Sequence, residues 1–303
     1  MNDGLIQQCI DTLGCKRESF PQNYLGLPLS AHKLPNLVFS TYIERIEKSL
    51  SSWQASLLNT MGRVVLINSV LDSKLIYVMS SMQLPPGLLQ QVDKLRRAFL
   101  WAGDQNTSSS KCLVAWQHVC TTKELGGLGI KDLGTHNICL LLKLIHRLHC
   151  ANYSAWATWI RQRANLASLK GDLRGHHWEM LRTLLPLYQA ITTVSLGNGK
   201  STSFWNDVWV GDDALADRFP ALFSHGTQKE ASVSMAITSN LQNAFVSRMT
   251  AQAAAELGQV HMLIQHTTLQ EASQDTRNSP FSSGPGKIDT AAIYKLLKAR
   301  GQN

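Results

Sequence analysis

The stretch Met61 to Met82, MGRVVLINSVLDSKLIYVMSSM, limits the fold more than any other part of the chain. Val64, Ile67, Leu71, Leu75, Val78 and Met82 recur every three or four positions, which lines one side of a helix about six turns long. A stripe of that length must be covered. Phe39, Tyr42, Ile43, Ile46, Leu50 and Trp53 before it, and Leu88, Val92, Leu95 and Phe99 after it, have the same spacing. The spacing therefore predicts three helices, at about 36–53, 59–82 and 86–101, packed around one core. Pro85-Pro86-Gly87 separates the last two, and Gly103 stops the third.

The remainder predicts more helix with little strand. Helices are expected at about 135–149, around Trp156 and Trp159, and at 176–190, 240–265 and 289–299. Tyr24 to Leu29 reads as an edge strand turning sharply, because Pro28 cannot sit in a central strand. Cys112 to Cys120 and Gly126 to Ile130 read as short strands or turns after a polar loop at 104–111. Gly197-Asn198-Gly199 lies between TTVSL and KSTSFW, which predicts a hairpin from Thr192 to Trp205. Ser273 to Gly286 reads as a mobile linker. The fold class is mainly α, a three-helix bundle followed by further helices with small β-hairpins. The expected divisions are 1–34, 35–104, 105–225 and 226–303.

Composition narrows the class of partner. With 303 residues and 44% hydrophobic content the chain can bury a sizeable core, and its length suits about two domains. The formal net charge of +8 favours a polyanion. Lys and Arg number 10 against 8 acids in residues 1–110, 11 against 4 in 111–200, and 8 against 9 in 201–303, so the middle third carries most of the excess. Six cysteines without a CxxC pair or signal peptide suggest reduced thiols in an intracellular protein. The most apolar run, Ile138 to Ile145, contains Lys143 and is shorter than the ~20 residues of a membrane span.

Several motifs copy chemistry without its full requirements. Gly211-Asp212-Asp213 resembles a two-metal turn, but Asp207 is the only close third carboxylate and the surroundings suit a solvated loop. Gly199-Lys200-Ser201 ends like a phosphate-binding loop, yet Val194 stands where that loop needs glycine. Gly126-Gly127-Leu128-Gly129 lacks the strand-to-helix setting of a dinucleotide loop. Cys139, His146, His149 and Cys150 share a helical face, but one straight helix rarely wraps four ligands around an ion. No catalytic residue, metal site or cofactor is expected. Cations beside aromatics, namely Lys94, Arg96 and Arg97 with Trp101, and Arg161 and Arg163 with Trp159, suit phosphates and stacked bases.

YLGLPLS at 24–30, Gly62-Arg63, LINSVL at 66–71, FLWAG at 99–103, Trp116 to Cys120, Lys123 with GGLGI at 126–130, Asn137 to Lys143, FWNDVW at 204–209 with Gly211, and Phe219-Pro220 follow one another in order. Together they resemble the region downstream of the polymerase centre in plant LINE-type, non-LTR retrotransposon reverse transcriptases. The resemblance implies that Tyr24 and Gly26 lie near the primer end. It also implies that the three helices form a thumb gripping duplex. Binding is expected through Arg63, Lys94 and Arg97 and through the basic 111–200 region, with Lys123 and Lys143.

In that family the catalytic aspartates precede the segment matching Tyr24. The 23 residues here hold Asp3 and Asp11 but no aromatic-x-Asp-Asp, so a protein without polymerase centre or enzymatic activity is expected. Lys74-Leu75 replaces the family's Leu-Pro and predicts a straighter helix. The family's Cys- and His-rich zinc segment has no counterpart, since no cysteine follows Cys150. The implied partners are RNA or RNA·DNA duplex and an intact element-encoded enzyme, with no membrane. The alternative is an inert helical relic or protein-interaction module without nucleic-acid binding.

Overall fold

The computed structural model describes residues 3–30, 32–50, 57–104, 112–150, 154–241 and 243–300. After α1 (Asp3–Leu13), β1 (Gln22–Tyr24) and β2 (Leu27–Leu29) pair antiparallel with Asn23 opposite Pro28. The positive φ of Leu25 (51°) and Gly26 (82°) turns this two-residue hairpin. A 3₁₀ turn (Asn36–Phe39) leads into α2 (Ser40–Glu47), which stops short of the expected 53: Lys48 to Leu50 leave the helix in a turn, and 51–53 lie outside the described residues.

The long apolar stretch is helical but not uniform. It divides into α3 (Thr60–Leu66), a π turn (Ile67–Leu71) and α4 (Ser73–Met79). Asn59 caps its start by accepting from the Gly62 amide at 2.8 Å. The backbone passes through Lys74-Leu75 as regular helix, and its irregularity comes one turn earlier. There Asp72 donates its amide to the Ile67 carbonyl, five residues back. The inserted residue leaves both Leu71 and Asp72 buried, so a carboxylate enters the core beside an apolar side chain. α5 (Pro86–Ala102) completes the three-helix packing. Ile46, Ile67, Leu71, Leu75, Val78, Val92 and Phe99 bury their side chains there almost completely.

The segment expected as short strands or turns around Trp116 has no strand: it forms α6 (Trp116–Val119) and a 3₁₀ turn (Lys123–Leu125), and 126–130 follow as a turn. The aromatic Trp116 starts a helical turn whose Val119 and Cys120 pack into the first core. A second core gathers α7 (Leu133–Cys150), α8 (Ala155–Arg161), the short pair β3 (Ala164–Asn165) and β4 (Lys170–Gly171), and α9 (His176–Ala190). Asn137 of α7 joins it to the first. Its amide donates to the carbonyls of Met79 (2.7 Å) and Met82 (3.0 Å), and its oxygen accepts from the Leu84 amide (2.8 Å). These groups at the end of α4 are thereby satisfied away from water.

The hairpin expected at 192–205 does not form. β5 (Thr193–Ser195) pairs antiparallel with β6 (Thr276–Asn278), with Val194 opposite Arg277. Asn-Gly signals a hairpin only if the flanking strands prefer each other. Here the Gly-rich bend curls around a carboxylate, and the strand finds its partner some eighty residues later. Between them, α10 (Leu215–Arg218), α11 (Pro220–Ser224), α12 (Val233–Thr238) and α13 (Ala251–Gln265) enclose a third core around Phe204, Trp205 and Trp209.

The segment expected as a mobile linker is therefore built in, with β6 and the pair β7 (Ser282–Gly284) and β8 (Lys287–Ile288). α14 (Thr290–Arg300) then returns along α7, burying Ile288 and Ile293 in the second core. The fold is mainly α with small antiparallel strand pairs. Among the described residues no helix is long and apolar enough to cross a membrane.

Candidate nucleic-acid interface

The ten basic, aromatic and glycine positions singled out by sequence fall into three neighbourhoods. Tyr24 and Gly26 sit on the β1–β2 hairpin, both exposed, and the Gly26 carbonyl accepts from the Tyr42 hydroxyl at 2.8 Å. This bond fixes the hairpin to α2 while leaving the Tyr24 ring in solvent.

Around α5 the cations separate by burial. Lys94 is exposed and Arg97 half-buried, with the Arg97 guanidinium 5.7 Å from the Trp116 ring centre. Arg96 has no exposed surface. Its guanidinium pairs with Asp72 at 3.2 Å and Asp93 at 2.6 Å, donates to the Lys131 carbonyl at 2.7 Å, and lies 5.5 Å from the Trp116 ring centre. Arg96 is thus an internal tie and cannot meet a phosphate. Its neighbour Asp72, admitted by the π turn, has its pKa raised to about 6 by burial, with Arg96 acting in the opposite direction.

Arg63 is also structural. Its Nη1 donates to the Leu100 carbonyl at 3.2 Å, where the last turn of α5 leaves carbonyls without helical donors. Gly103 follows in the left-handed conformation (φ 67°), and a Cβ there would lie 2.7 Å from the Arg63 guanidinium. This contact ties Arg63, at the start of the long helical stretch, to the glycine that ends FLWAG. Lys123 and Lys143 are exposed, on the 3₁₀ turn and α7 respectively.

Just after α8, Arg163 is exposed, with its guanidinium 4.4 Å from the Trp159 ring centre. Arg161 instead turns inward and caps α7, donating to the carbonyls of Leu148 (2.9 Å) and His149 (3.2 Å). Of the cations singled out by sequence, Lys94, Arg97, Lys123, Lys143 and Arg163 keep their charge at the surface. Tyr24 supplies an exposed ring that can stack.

The polar residues that organise the rest were not identified as sites from sequence. The Asp275 carboxylate accepts from the amides of Gly197 (2.9 Å), Gly199 (2.8 Å) and Ser201 (3.0 Å), and from the hydroxyls of Ser201 (2.8 Å) and Thr202 (2.8 Å). The bend that looked like a phosphate loop holds an anion from its own chain. Burial pushes the Asp275 pKa up, but the Gly197 and Gly199 amides and the two hydroxyls together hold it below the usual carboxylate range.

Two residues on, Arg277 is fully engaged. It forms a double bond-pair with Asp207 (Nη1–Oδ1 2.7 Å, Nη2–Oδ2 2.8 Å), donates Nε–H to His149 Nδ1 at 3.1 Å, and lies 5.2 Å from the Tyr188 ring centre. Asp207, the only close third carboxylate for a metal reading of Asp212-Asp213, is consumed by this pair, while Asp212 and Asp213 are exposed. Along α7, His146 Nδ1 lies 3.1 Å from the Tyr188 hydroxyl and burial lowers its pKa to about 4. Among the described residues no group of three or more His, Cys, Asp and Glu is placed to hold a metal ion. The one local signal for this knot was the Asp within FWNDVW; Asp275 and Arg277 sit in a polar stretch with partners about seventy residues away.

Comparison with known proteins places the chain beside two Arabidopsis thaliana proteins. It is 27% identical over 203 residues to "Putative ribonuclease H protein At1g65750", covering 63% of this chain and 32% of that protein. It is 27% identical over 144 residues to "Uncharacterized mitochondrial protein AtMg00310", covering 46% of this chain and 93% of that protein. The chain therefore matches about a third of the length of the first. No protein-family profile matches it.

Proposed function

We propose that this chain is a thumb-and-linker region of a plant LINE-type reverse transcriptase-like protein. In this reading it grips RNA or RNA·DNA duplex without sequence preference and contributes no polymerase chemistry of its own. The observation that carries the reading is the outer face of α5, where exposed Lys94 and half-buried Arg97, braced over Trp116, project from a closed three-helix core. A rigid helix presenting cations at i and i+3 can follow a phosphate backbone, and Lys123, Lys143 and Arg163 extend the positive surface. Similarity to a plant protein with ribonuclease H in its name agrees with an origin in an enzyme that handles RNA·DNA hybrids. An intact element-encoded enzyme would supply catalysis to such a duplex.

The test is fluorescence anisotropy with a labelled RNA·DNA duplex over a salt series. Each phosphate contact contributes a slope of about 0.7–0.9 in log affinity against log salt. Lys94→Glu/Arg97→Glu should reduce the slope by about two contacts and leave the circular dichroism spectrum unchanged. An affinity indifferent to salt, or to both substitutions, would sink the reading. A second reading, a protein-interaction module without nucleic-acid binding, is favoured by exposed Met61, Val65 and Tyr77 on the outer side of α3 and α4. It expects no duplex binding even at low salt.

A further inference from the structure

A cavity of about 350 Å³ opens between the start of β3 and the bend that holds Asp275. Its walls include His149, Arg161, Asn165, Asn198 and Lys200. They offer donors almost exclusively. His149 is 7% exposed, and because Arg277 Nε–H donates to its Nδ1, the neutral ring must carry its proton on Nε2. That Nε2–H finds no acceptor among the described residues.

The side-chain oxygen of Asn165 accepts from the Ala167 amide and that of Asn198 from the Lys200 amide, which leaves each of them its NH₂ group. Arg161 uses Nη2 on the end of α7 and makes no ion pair among the described residues, and exposed Lys200 makes none either. The Asp275 carboxylate in the wall is already saturated by five donors. Buried donors without acceptors are costly, so such a cavity favours an acceptor-rich anion.

We propose that this cavity binds a phosphate monoester, with Arg161 and Lys200 balancing its two negative charges and Asn165 and Asn198 donating to its oxygens beside the His149 ring. The two cations match the double charge of a phosphate monoester rather than the single charge of a carboxylate, and the volume exceeds that of a bare phosphate, leaving room for an attached group the size of a nucleoside. The phosphate can come from a free mononucleotide or from the 5′ end of a strand. The site is separate from the outer face of α5 and does not depend on duplex binding there.

The experiment is calorimetric titration of the full chain with inorganic phosphate, adenosine 5′-monophosphate, and a short single-stranded oligonucleotide with and without a 5′-phosphate. ¹H–¹⁵N spectra of the histidine rings accompany each titration. Binding of the monophosphate that perturbs the His149 ring, and that Lys200→Ala weakens ~10-fold with an unchanged circular dichroism spectrum, supports the proposal. Preference for the mononucleotide over the 5′-phosphorylated strand assigns the source as free nucleotide, and the reverse assigns a strand end. Lys94→Glu/Arg97→Glu should leave this binding in place, which separates its outcome from that of the duplex experiment. No monophosphate binding at millimolar concentration, or binding that neither moves the His149 ring nor responds to Lys200→Ala, overturns it.

Discussion

Replacing Asp275 tests how far one carboxylate holds the third core in place. Five donors converge on it, and the amides of Gly197 and Gly199 are buried where water cannot replace the lost acceptor. A buried donor left without a partner costs about 1–3 kcal/mol, and such costs are not additive when donors share one acceptor. Asp275→Ala should therefore destabilise by ~3–6 kcal/mol, a large share of the 5–15 kcal/mol typical of a folded domain. Asp275→Asn keeps one oxygen for the two glycine amides but loses the acceptor of Ser201 and Thr202, and should cost ~1.5–3 kcal/mol.

Urea unfolding followed by tryptophan fluorescence is a suitable assay, because Trp205 and Trp209 lie in the third core. The pH dependence gives a second signature. The pKa of Asp275 is lower in the folded state, so on acidification the unfolded chain takes up the proton first. Its stabilisation is complete above the unfolded value near 4 and is lost as pH falls through the folded value. Asp275→Asn should flatten that acid loss. Asp275→Ala within ~0.5 kcal/mol of the natural chain would refute the reasoning, since surface substitutions alone reach that size.

Arg277→Met should destabilise by ~3–5 kcal/mol in the same assay, because it leaves Asp207 charged, buried and without its partner. Burial lowers the pKa of both His136 and His146 to about 4, so the unfolded chain binds their protons first as pH falls below about 6.5. Stability should fall between pH 6.5 and 4, by up to about 1.4 kcal/mol per pH unit for each ring, and His146→Gln should reduce that slope in thermal melts.

The helices were legible where a single face decided their fate. Val64, Ile67, Leu71, Leu75 and Val78 are buried as their spacing requires, and Gly103 ends α5 where its freedom at positive φ was needed. Arg96 was read as a surface cation because a helical pattern gives an angle but no partner. Its inward position depends on Asp72, which reaches the core only through the π turn of another segment. Gly197-Asn198-Gly199 carried a local hairpin signal that a nonlocal anion overrode. The polar composition of 273–286 suggested mobility, yet Asp275 and Arg277 are polar because they satisfy buried groups elsewhere. Of the candidate interface, the exposed cations were legible, whereas the roles of Arg63 and Arg161 at helix ends required the carbonyls they meet.

The return of α14 along α7 sets an order of events during synthesis. The first core draws on residues 39–133 and can close soon after they leave the ribosome. The second must wait for Ile288 and Ile293, some 140 residues beyond Cys150, which takes about 7–30 seconds at 5–20 residues per second. For that interval α8 and α9 can cover part of α7, but the side that α14 packs on stays uncovered, exposed to chaperones and proteases. Truncation before Ile288 would make this transient state permanent, so it should cost stability even though it removes none of the exposed cations of the candidate interface.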